Sequence, residues 1–391
     1  MSRVLVVVPP LTGHVNPTLA LGAELRRRGH DVTWTGVPAV APLLPPGTPF
    51  APCTGDMGGT VEEVTERGHG VRGAAALRFL WEDVLLPLAS HMRPGLEEVV
   101  DVLDPDVVVS DQQALAGAVV ALRQGRRWAT SATTSAQLTR PLDALPQVKR
   151  WLDERLVALQ VEAGIDEATA RGHDLAVSPD LVLAFTTEAL VGPYGPFPPQ
   201  VRFVGPSVAD RVEDVGGFPW DHLAGDAPGV LVSLGTVNAD AGARFWAAAS
   251  EAFATLDARA VLVAPPELVP DPPPNVLVRP RVPQLALLER VDAVVSHGGH
   301  NTVCESLAAG RPMVLAPIRD DQPIIADQVV QAGAGVRIKF GRVRPDGLRA
   351  AVERALTEPD LRAGAERVAA SFAAAGGTPE AASLVEDLAA G

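Results

Sequence analysis

Residues 296–305 have the residue types and the spacing of an anion-binding turn. They read Ser-His-Gly-Gly-His-Asn-Thr-Val-Cys-Glu and lie between an apolar run and a helical pattern, which predicts a strand, a turn and a helix in that order. Gly298 and Gly299 allow the backbone to approach a ligand closely. The N–H groups and the positive dipole end at the beginning of a helix bind phosphate. The segment therefore predicts a site for a diphosphate.

Two side chains of this segment could bind further groups of a nucleotide, one at the phosphates and one at the ribose. His297 can add a hydrogen bond or a positive charge to the phosphates. Glu305, on the first turns of the predicted helix, can accept hydrogen bonds from ribose hydroxyls. The alternative is that the glycines only connect a strand to a helix and that Glu305 caps the helix. By itself, the Gly-Gly turn does not decide between these interpretations.

Two consecutive series of strands and helices must position these residues. The first series has strand patterns at 4–8, 31–35, 107–110, 127–131, 181–185 and 202–204, with a helix at 17–28. The second has strand patterns at 230–234, 260–264, 276–278, 293–296, 313–316 and 336–339. The first strands are apolar on both faces, which predicts parallel sheets covered by helices. We predict an α/β fold of two doubly wound, Rossmann-like domains that face a cleft, with ligands at the carboxyl ends of the strands.

Changes in composition indicate the domain boundaries. We predict an N-terminal domain at 1–205, a Pro- and Gly-rich linker at 206–228 and a C-terminal domain at 229–391, whose last helix can pack back on the first domain. Residues 48–73 are predicted to be a loop, and a helical pattern at 74–100 is interrupted at Pro87 and Pro94.

Composition and charge exclude several classes of function. The 391 residues suffice for two domains, and 47% hydrophobic with 20% charged residues is typical of a well-packed globular protein. A formal charge of −14 argues against a nucleic-acid partner. Cys53 and Cys304 are too few for a disulfide framework or a thiolate metal site, and we expect no bound metal. With no signal-peptide core and no segment of membrane-spanning length, the chain is expected to be cytoplasmic.

The turn and the residues after it resemble the family 1 nucleotide-sugar-dependent glycosyltransferases, and the likeness covers essentially the full length. That family has the pattern His-x-Gly-x-x-(Ser/Thr)-x-x-Glu, then Gly-x-Pro, Pro and Asp-Gln. This chain has it as His297, Gly299, Thr302, Glu305, Gly310, Pro312, Pro317, Asp321 and Gln322. The resemblance implies the GT-B fold and an inverting reaction without a metal or other cofactor, in which the nucleotide-diphosphate sugar is a co-substrate.

The resemblance also implies the roles of the donor residues. His297 and the amides near Asn301 and Thr302 would hold phosphate, Glu305 would hold the ribose, and His300 would also lie against the donor. Asp321 and Gln322 would bind the sugar hydroxyls, since a carboxylate accepts two protons while an amide both donates and accepts. Without the preceding motif, the Asp-Gln pair would be read as part of a solvated loop.

Two further turns are similar to donor-site turns of the family. One, which ends the first strand of the second domain, would lie near the β-phosphate; its residues are Ser233, Gly235 and Thr236. The other would contact the base; its residues are Arg281, Val282 and Gln284. Arg281 stands where the family often has a tryptophan, so a guanidinium plane would replace the aromatic stacking surface. A surface ion pair is the alternative for Arg281. Both UDP- and dTDP-sugars stay compatible with this turn.

In the first domain, Gly13, His14 and Pro17 follow the family's Gly-His-x-x-Pro pattern in the predicted loop after the first strand. The resemblance implies that His14 is the general base for the acceptor hydroxyl and that Asp111 orients it, with Gly13 near the donor. An imidazole that titrates near neutrality suits this task. A structural loop histidine, and an aspartate that caps a helix beginning at Gln112, are the alternatives.

We therefore expect a hexosyltransferase that moves a sugar from a UDP- or dTDP-sugar to a hydroxyl of an apolar aglycone such as a polyketide, macrolide or flavonoid. Phe79 and Trp81 are the candidate acceptor contacts, with ordinary helix core as the alternative. A nucleotide-sugar epimerase of the same fold and a non-catalytic nucleotide-sugar-binding protein are the rival functions. The sequence is compatible with a homodimer.

Overall fold

The computed structural model describes residues 1–53, 63, 67–68, 71, 73–208, 216–235 and 242–391. These residues form two compact units, each with its own apolar core. The first unit comprises Met1–Phe185, Tyr194–Ala209 and Ala375–Gly391, and the second comprises Thr186–Pro193 and Asp210–Ala374. Relative to the predicted domains, residues 186–193 belong to the second unit and residues 375–391 to the first.

A seven-stranded parallel sheet is the centre of the first unit. Its strands are β1 (Arg3–Val7), β2 (Asp31–Gly36), β3 (Phe50–Pro52), β4 (Val107–Asp111), β5 (Trp128–Ala132), β6 (Leu181–Ala184) and β7 (Val201–Phe203). Their order in the sheet is β3-β2-β1-β4-β5-β6-β7. Among the described residues, the helices of this unit are α1 (Thr12–Arg27), α2 (Ala74–Phe79), α3 (Leu86–Leu103), α4 (Leu115–Arg123), α5 (Pro146–Glu162), α6 (Glu167–Gly172) and the last helix of the chain. Short 3-10 helices lie at Pro38–Leu43, Ala136–Thr139 and Pro141–Ala144.

The second unit has a six-stranded parallel sheet. Its strands are β8 (Gly229–Ser233), β9 (Arg259–Val263), β10 (Val276–Arg279), β11 (Ala293–Ser296), β12 (Met313–Leu315) and β13 (Gly335–Arg337), in the order β10-β9-β8-β11-β12-β13. Its helices are α7 (Glu188–Val191), α8 (Ala243–Ala254), α9 (Gln284–Leu288), α10 (His300–Ala308), α11 (Gln322–Gln331), α12 (Pro345–Thr357) and α13 (Pro359–Ala374). Its 3-10 helices lie at Trp220–Leu223, Pro266–Leu268 and Phe340–Arg342. Both strand orders are those of doubly wound folds, which confirms the predicted fold class.

The last helix, α14 (Gly377–Ala390), completes the core of the first unit. Its buried face consists of Ala381, Ala382, Leu384 and Val385. At the end of α1, the guanidinium of Arg28 donates to Glu386 Oε2 at 2.7 Å, to Ser383 Oγ at 3.0 Å and to the carbonyl of Pro379 at 2.9 Å. Apolar burial and these charge-assisted hydrogen bonds together hold α14 against α1.

Local structure differs from the sequence prediction at the first helix. α1 begins at Thr12 and not at Pro17, so His14 lies in a helical first turn and the prediction of a loop there was wrong. The Val15 N–H donates to the Leu11 carbonyl at 3.0 Å, and the helix is continuous through Pro17. Because proline lacks only its own N–H, the helix loses one intrahelical hydrogen bond there and keeps the rest.

The predicted loop and helical pattern at 48–100 also need correction. Phe50–Pro52 forms strand β3 beside β2, and much of 54–72 lies outside the described residues. Pro94 lies inside the continuous helix α3 and does not interrupt it. A π-helical turn at Leu80–Leu85 precedes Pro87, and this wider turn relieves the clash of the proline ring with the carbonyl four residues earlier.

Candidate active site

The carboxyl ends of three neighbouring strands bring together the candidate catalytic residues of the first unit. β4 pairs with β1 on one side and with β5 on the other. His14 lies in the first turn of the helix after β1, Asp111 is the last residue of β4, and Thr133 directly follows β5. Parallel strands end at the same edge of a sheet, so these three residues meet although they are distant in the chain.

The three side chains form a closed set of polar contacts. His14 Nδ1 lies 2.9 Å from Asp111 Oδ1 and 2.8 Å from Thr133 Oγ1. The Thr133 hydroxyl donates to Asp111 Oδ2 at 2.9 Å. The Asp111 carboxyl group is completely buried, whereas 16% of the His14 side chain is exposed. The structure thus joins the two residues that the sequence predicted as base and orienting group.

The contact with Asp111 determines where the imidazole carries its proton. An ionised carboxylate can only accept hydrogen bonds, so His14 Nδ1 must donate and neutral His14 carries its lone pair on Nε2. Such an imidazole can accept a proton at Nε2, and the buried carboxylate then stabilises the imidazolium.

The alternative interpretation of Asp111 was that it caps a helix beginning at Gln112, and the structure does not show this. Its Oδ1 accepts from the Gln113 N–H at 2.8 Å in a tight turn, and helix α4 begins only at Leu115 with Ala114 at the N-cap. Thr133 was missed by the sequence analysis. The sequence gives one indication that Thr133 could belong to the site: it lies two residues after the predicted strand at 127–131, which is the next strand in the chain after the one that ends near Asp111.

In the second unit, the predicted phosphate turn surrounds the ring of His297. A Cβ atom at Gly235 would lie 2.6 Å from His297 Cε1, and one at Gly299 would lie 2.5 Å from His297 Nε2. Both distances are too short for any side chain, and Gly235 also has a φ of +75°. Glycine is therefore required on both sides of the ring. Helix α10 begins directly after Gly299, as predicted.

Burial determines the charge of His297. The residue is only 8% exposed, and this desolvation lowers the pKa of its imidazole from 6.5 to about 4, although a hydrogen bond with the Ser233 backbone and the charge of Asp321 oppose the shift. The sequence left both a hydrogen bond and a positive charge available. Burial favours the hydrogen bond, because it keeps the ring neutral near pH 7.

Glu305 and the predicted base turn come together in the structure. Gln284, the first residue of α9, donates from Nε2 to Glu305 Oε2, and the Glu305 side chain is buried. Val282 is half-buried, and Arg281 is exposed with no ion pair among the described residues. The amide of Gln284 thus holds the carboxylate that is expected to accept from ribose.

Gln322 is fixed by the loop before it. Its Oε1 accepts from the N–H groups of Ile318 and Arg319 at 2.9 and 3.1 Å, and its side chain is buried. Asp321, at the N-cap of α11, is half-buried beside it. With the amide oxygen engaged by the backbone, Gln322 offers hydrogen bonds chiefly through its NH2 group.

Other predicted site residues have different surroundings. His300 is buried, and its Nε2 lies 3.5 Å from Cys304 Sγ one turn along α10, while the burial of Cys304 raises the pKa of that thiol. Asn301 and Thr302 follow it in α10 and are half-buried.

The predicted acceptor contacts lie in the first unit. Trp81 belongs to the apolar core of that unit, and Phe79 is half-buried at the end of α2. Gly13 lies beside His14 in α1, and Thr236 lies outside the described residues.

The described residues contain neither a candidate metal centre nor a candidate membrane span. Across the parts of the chain that the structure describes, His, Cys, Asp and Glu side chains form no group able to hold a metal ion. Over the same residues, every helix is too short or too polar to span a bilayer.

Comparison with known proteins agrees with this fold. Residues 248–390 match the family model described as "Erythromycin biosynthesis protein CIII-like, C-terminal domain". The chain is 32% identical to 4'-demethylrebeccamycin synthase of Lentzea aerocolonigenes, with 99% of each chain covered. It is 28% identical to oleandomycin glycosyltransferase of Streptomyces antibioticus, over 96% of this chain and 88% of that one. The crystal structure of the glycotransferase of kitacinnamycin superposes with a TM-score of 0.79 at 29% identity, and 99% of both chains is covered.

The two parallel-sheet units and these full-length likenesses define an enzyme that transfers sugars. The chain belongs to the family 1 glycosyltransferases of the GT-B fold, of the natural-product type, which confirms the resemblance seen in the sequence.

Proposed function

We propose that this glycosyltransferase moves a hexose from a UDP- or dTDP-sugar to a hydroxyl group of a largely apolar natural product, with inversion and without a metal. The observation that carries the proposal is the 2.9 Å contact between His14 Nδ1 and the buried carboxylate of Asp111. A histidine held in this way is equipped to take a proton from an acceptor hydroxyl.

The reaction is a single displacement. His14 Nε2 takes the proton of the acceptor hydroxyl while that oxygen forms a bond to the anomeric carbon. The bond between the anomeric carbon and the diphosphate oxygen breaks, and the nucleoside diphosphate leaves with the electron pair. Attack opposite the leaving group converts an α-linked donor into a β-glycoside.

The donor half of the proposal rests on the His297 turn. Negative charge that develops on the leaving diphosphate would be met by the backbone amides at the beginning of α10 and by a hydrogen bond from His297. Glu305, held by Gln284, would accept from the ribose, and Asp321 and Gln322 would bind the hexose hydroxyls. The reaction needs the donor and His14 in one complex with the acceptor.

The relatives support a natural-product acceptor. One is a synthase of 4'-demethylrebeccamycin, and another is an oleandomycin glycosyltransferase. We propose on this ground that the acceptor is an aglycone of secondary metabolism, such as a polyketide or macrolide, and that the enzyme serves antibiotic biosynthesis.

A screen of UDP- and dTDP-sugars against polyketide, macrolide and flavonoid aglycones, with mass detection of products, tests the proposal. The expected product has the mass of acceptor plus hexose, and its anomeric proton coupling shows a β-linkage when the donor is α-linked. Release of a sugar isomer without any acceptor would instead indicate an epimerase. Donor binding without transfer or donor hydrolysis would indicate a binding protein.

Replacement of the base is the sharper test. His14→Ala should lower kcat for a hydroxyl acceptor by roughly 100-fold to 10,000-fold, the usual contribution of general base catalysis. Donor affinity, measured by calorimetry, should change little because His14 belongs to the first unit and the donor turn to the second. His91→Ala is the matched control, since His91 is exposed on α3. Transfer by His14→Ala at nearly the parental rate would contradict the mechanism.

A further inference from the structure

The hydroxyl group of Thr133 occupies an unusual place next to the His14 and Asp111 pair. It lies 2.8 Å from His14 Nδ1 and 2.9 Å from Asp111 Oδ2, and the residue is only 4% exposed. One short side chain therefore touches both the proposed base and the group that orients it. A hydroxyl so placed can donate its one proton to one neighbour and accept a hydrogen bond from the other.

Counting protons leaves one arrangement in which every contact is a hydrogen bond. Ionised Asp111 only accepts, so the Thr133 hydroxyl donates to Oδ2. The Thr133 oxygen can then accept from the Nδ1–H of His14, which also points toward Asp111 Oδ1. In the opposite tautomer, the Nδ1 lone pair would face the carboxylate oxygen at 2.9 Å, which is repulsive.

We propose that Thr133 is a positioning residue that orients the His14 base and provides a second acceptor for the Nδ1–H that Asp111 holds. This inference rests on the proposed function, because it assigns the second support of the same base. When His14 takes the acceptor proton, the imidazolium Nδ1–H faces two acceptors, Asp111 Oδ1 and Thr133 Oγ1, and both stabilise the charge. Asp111 is meanwhile held in place by Thr133 and by the Gln113 amide.

Two substitutions separate the hydroxyl from the shape of the side chain. Thr133→Val keeps the branched shape and removes the hydroxyl, whereas Thr133→Ser keeps the hydroxyl and removes a methyl group. We expect kcat to fall about 10-fold to 100-fold in Thr133→Val, the range for loss of a hydrogen bond to a charged group. Thr133→Ser should stay within about threefold of the parent. Thr133→Ala should resemble Thr133→Val, and it replaces that variant if valine prevents folding.

Acceptor acidity provides a readout that a purely structural role would not change. In a series of phenols from 4-methoxyphenol to 4-nitrophenol, the acidic members need less help from a base. The defect of Thr133→Val should therefore shrink steadily along the series. An equal defect for all phenols, or equal damage in Thr133→Ser and Thr133→Val, would overturn the inference.

Nitrogen NMR of histidine-labelled protein tests the same inference without turnover. In the parent, the His14 shifts should show the Nδ1–H tautomer. In Thr133→Val the Nδ1 shift should change, because that N–H keeps Asp111 but loses its second acceptor. An unchanged Nδ1 shift together with unchanged kcat would refute the role of Thr133 alone. A parent protein that transfers no sugar would instead refute the proposed function, while the NMR comparison would still test Thr133.

Discussion

Burial of His297 should make the stability of the second unit depend on pH in a calculable way. Burial lowers the pKa of its imidazole from 6.5 to about 4. Between these pH values the unfolded chain binds a proton that the folded protein does not, so stability falls as the pH falls. Each pH unit between the two pKa values corresponds to about 1.36 kcal/mol, so the free energy of unfolding falls by about 3 kcal/mol in all. About 2 kcal/mol of this loss appears between about pH 7.5 and pH 5.

The assay compares the parent with His297→Gln. Urea unfolding of each protein, followed by the fluorescence of its six tryptophans, gives the free energy of unfolding at each pH. Other titrating groups contribute equally to both proteins, so the difference in their pH slopes isolates His297. We expect the variant to lose about 2 kcal/mol less than the parent between about pH 7.5 and pH 5. Identical slopes, or an NMR titration of His297 centred near its ordinary pKa, would refute the reasoning.

Two further substitutions test the packing of each unit. Gly235→Ala should raise the donor Kd about tenfold or more and lower the free energy of unfolding by about 2 kcal/mol, because the new Cβ would clash with the His297 ring at a residue with positive φ. The control Gly341→Ala, where a Cβ meets open space, should change the free energy of unfolding by no more than about 0.5 kcal/mol. Equal donor Kd values for the two variants would contradict the argument. Arg28→Met should destabilise the first unit by about 1 to 3 kcal/mol and speed the proteolysis of α14, because it removes the hydrogen bonds from α1 to this helix. The control Arg349→Met removes an exposed ion pair and should leave the proteolysis of α14 unchanged. Unchanged proteolysis in Arg28→Met would show that apolar packing alone holds α14.

Most of the candidate donor site could be predicted because it is local in sequence. The glycines, His297 and Glu305 lie within one strand, turn and helix, and the chemistry of a helix terminus follows from that order alone. Alternating apolar strands and helices likewise specified two parallel sheets, because only strands buried on both faces carry such continuous apolar runs. Element ends were less predictable: α1 includes Pro17, since the loss of one hydrogen bond is smaller than the gain from extending a packed helix.

Only the tertiary structure decided what each polar group does. His14 and Asp111 are 97 residues apart, and Thr133 is 22 residues further on, so their contact depends on the order of β1, β4 and β5 in the sheet. The neutral state of His297 depends on burial, which its neighbours in sequence do not specify. Helix α14 follows the second unit in the chain and yet fills the core of the first. In each case the role of the residue or helix depends on a contact between distant parts of the chain or on the exclusion of water. Spacing along the chain specifies neither the contact nor the burial.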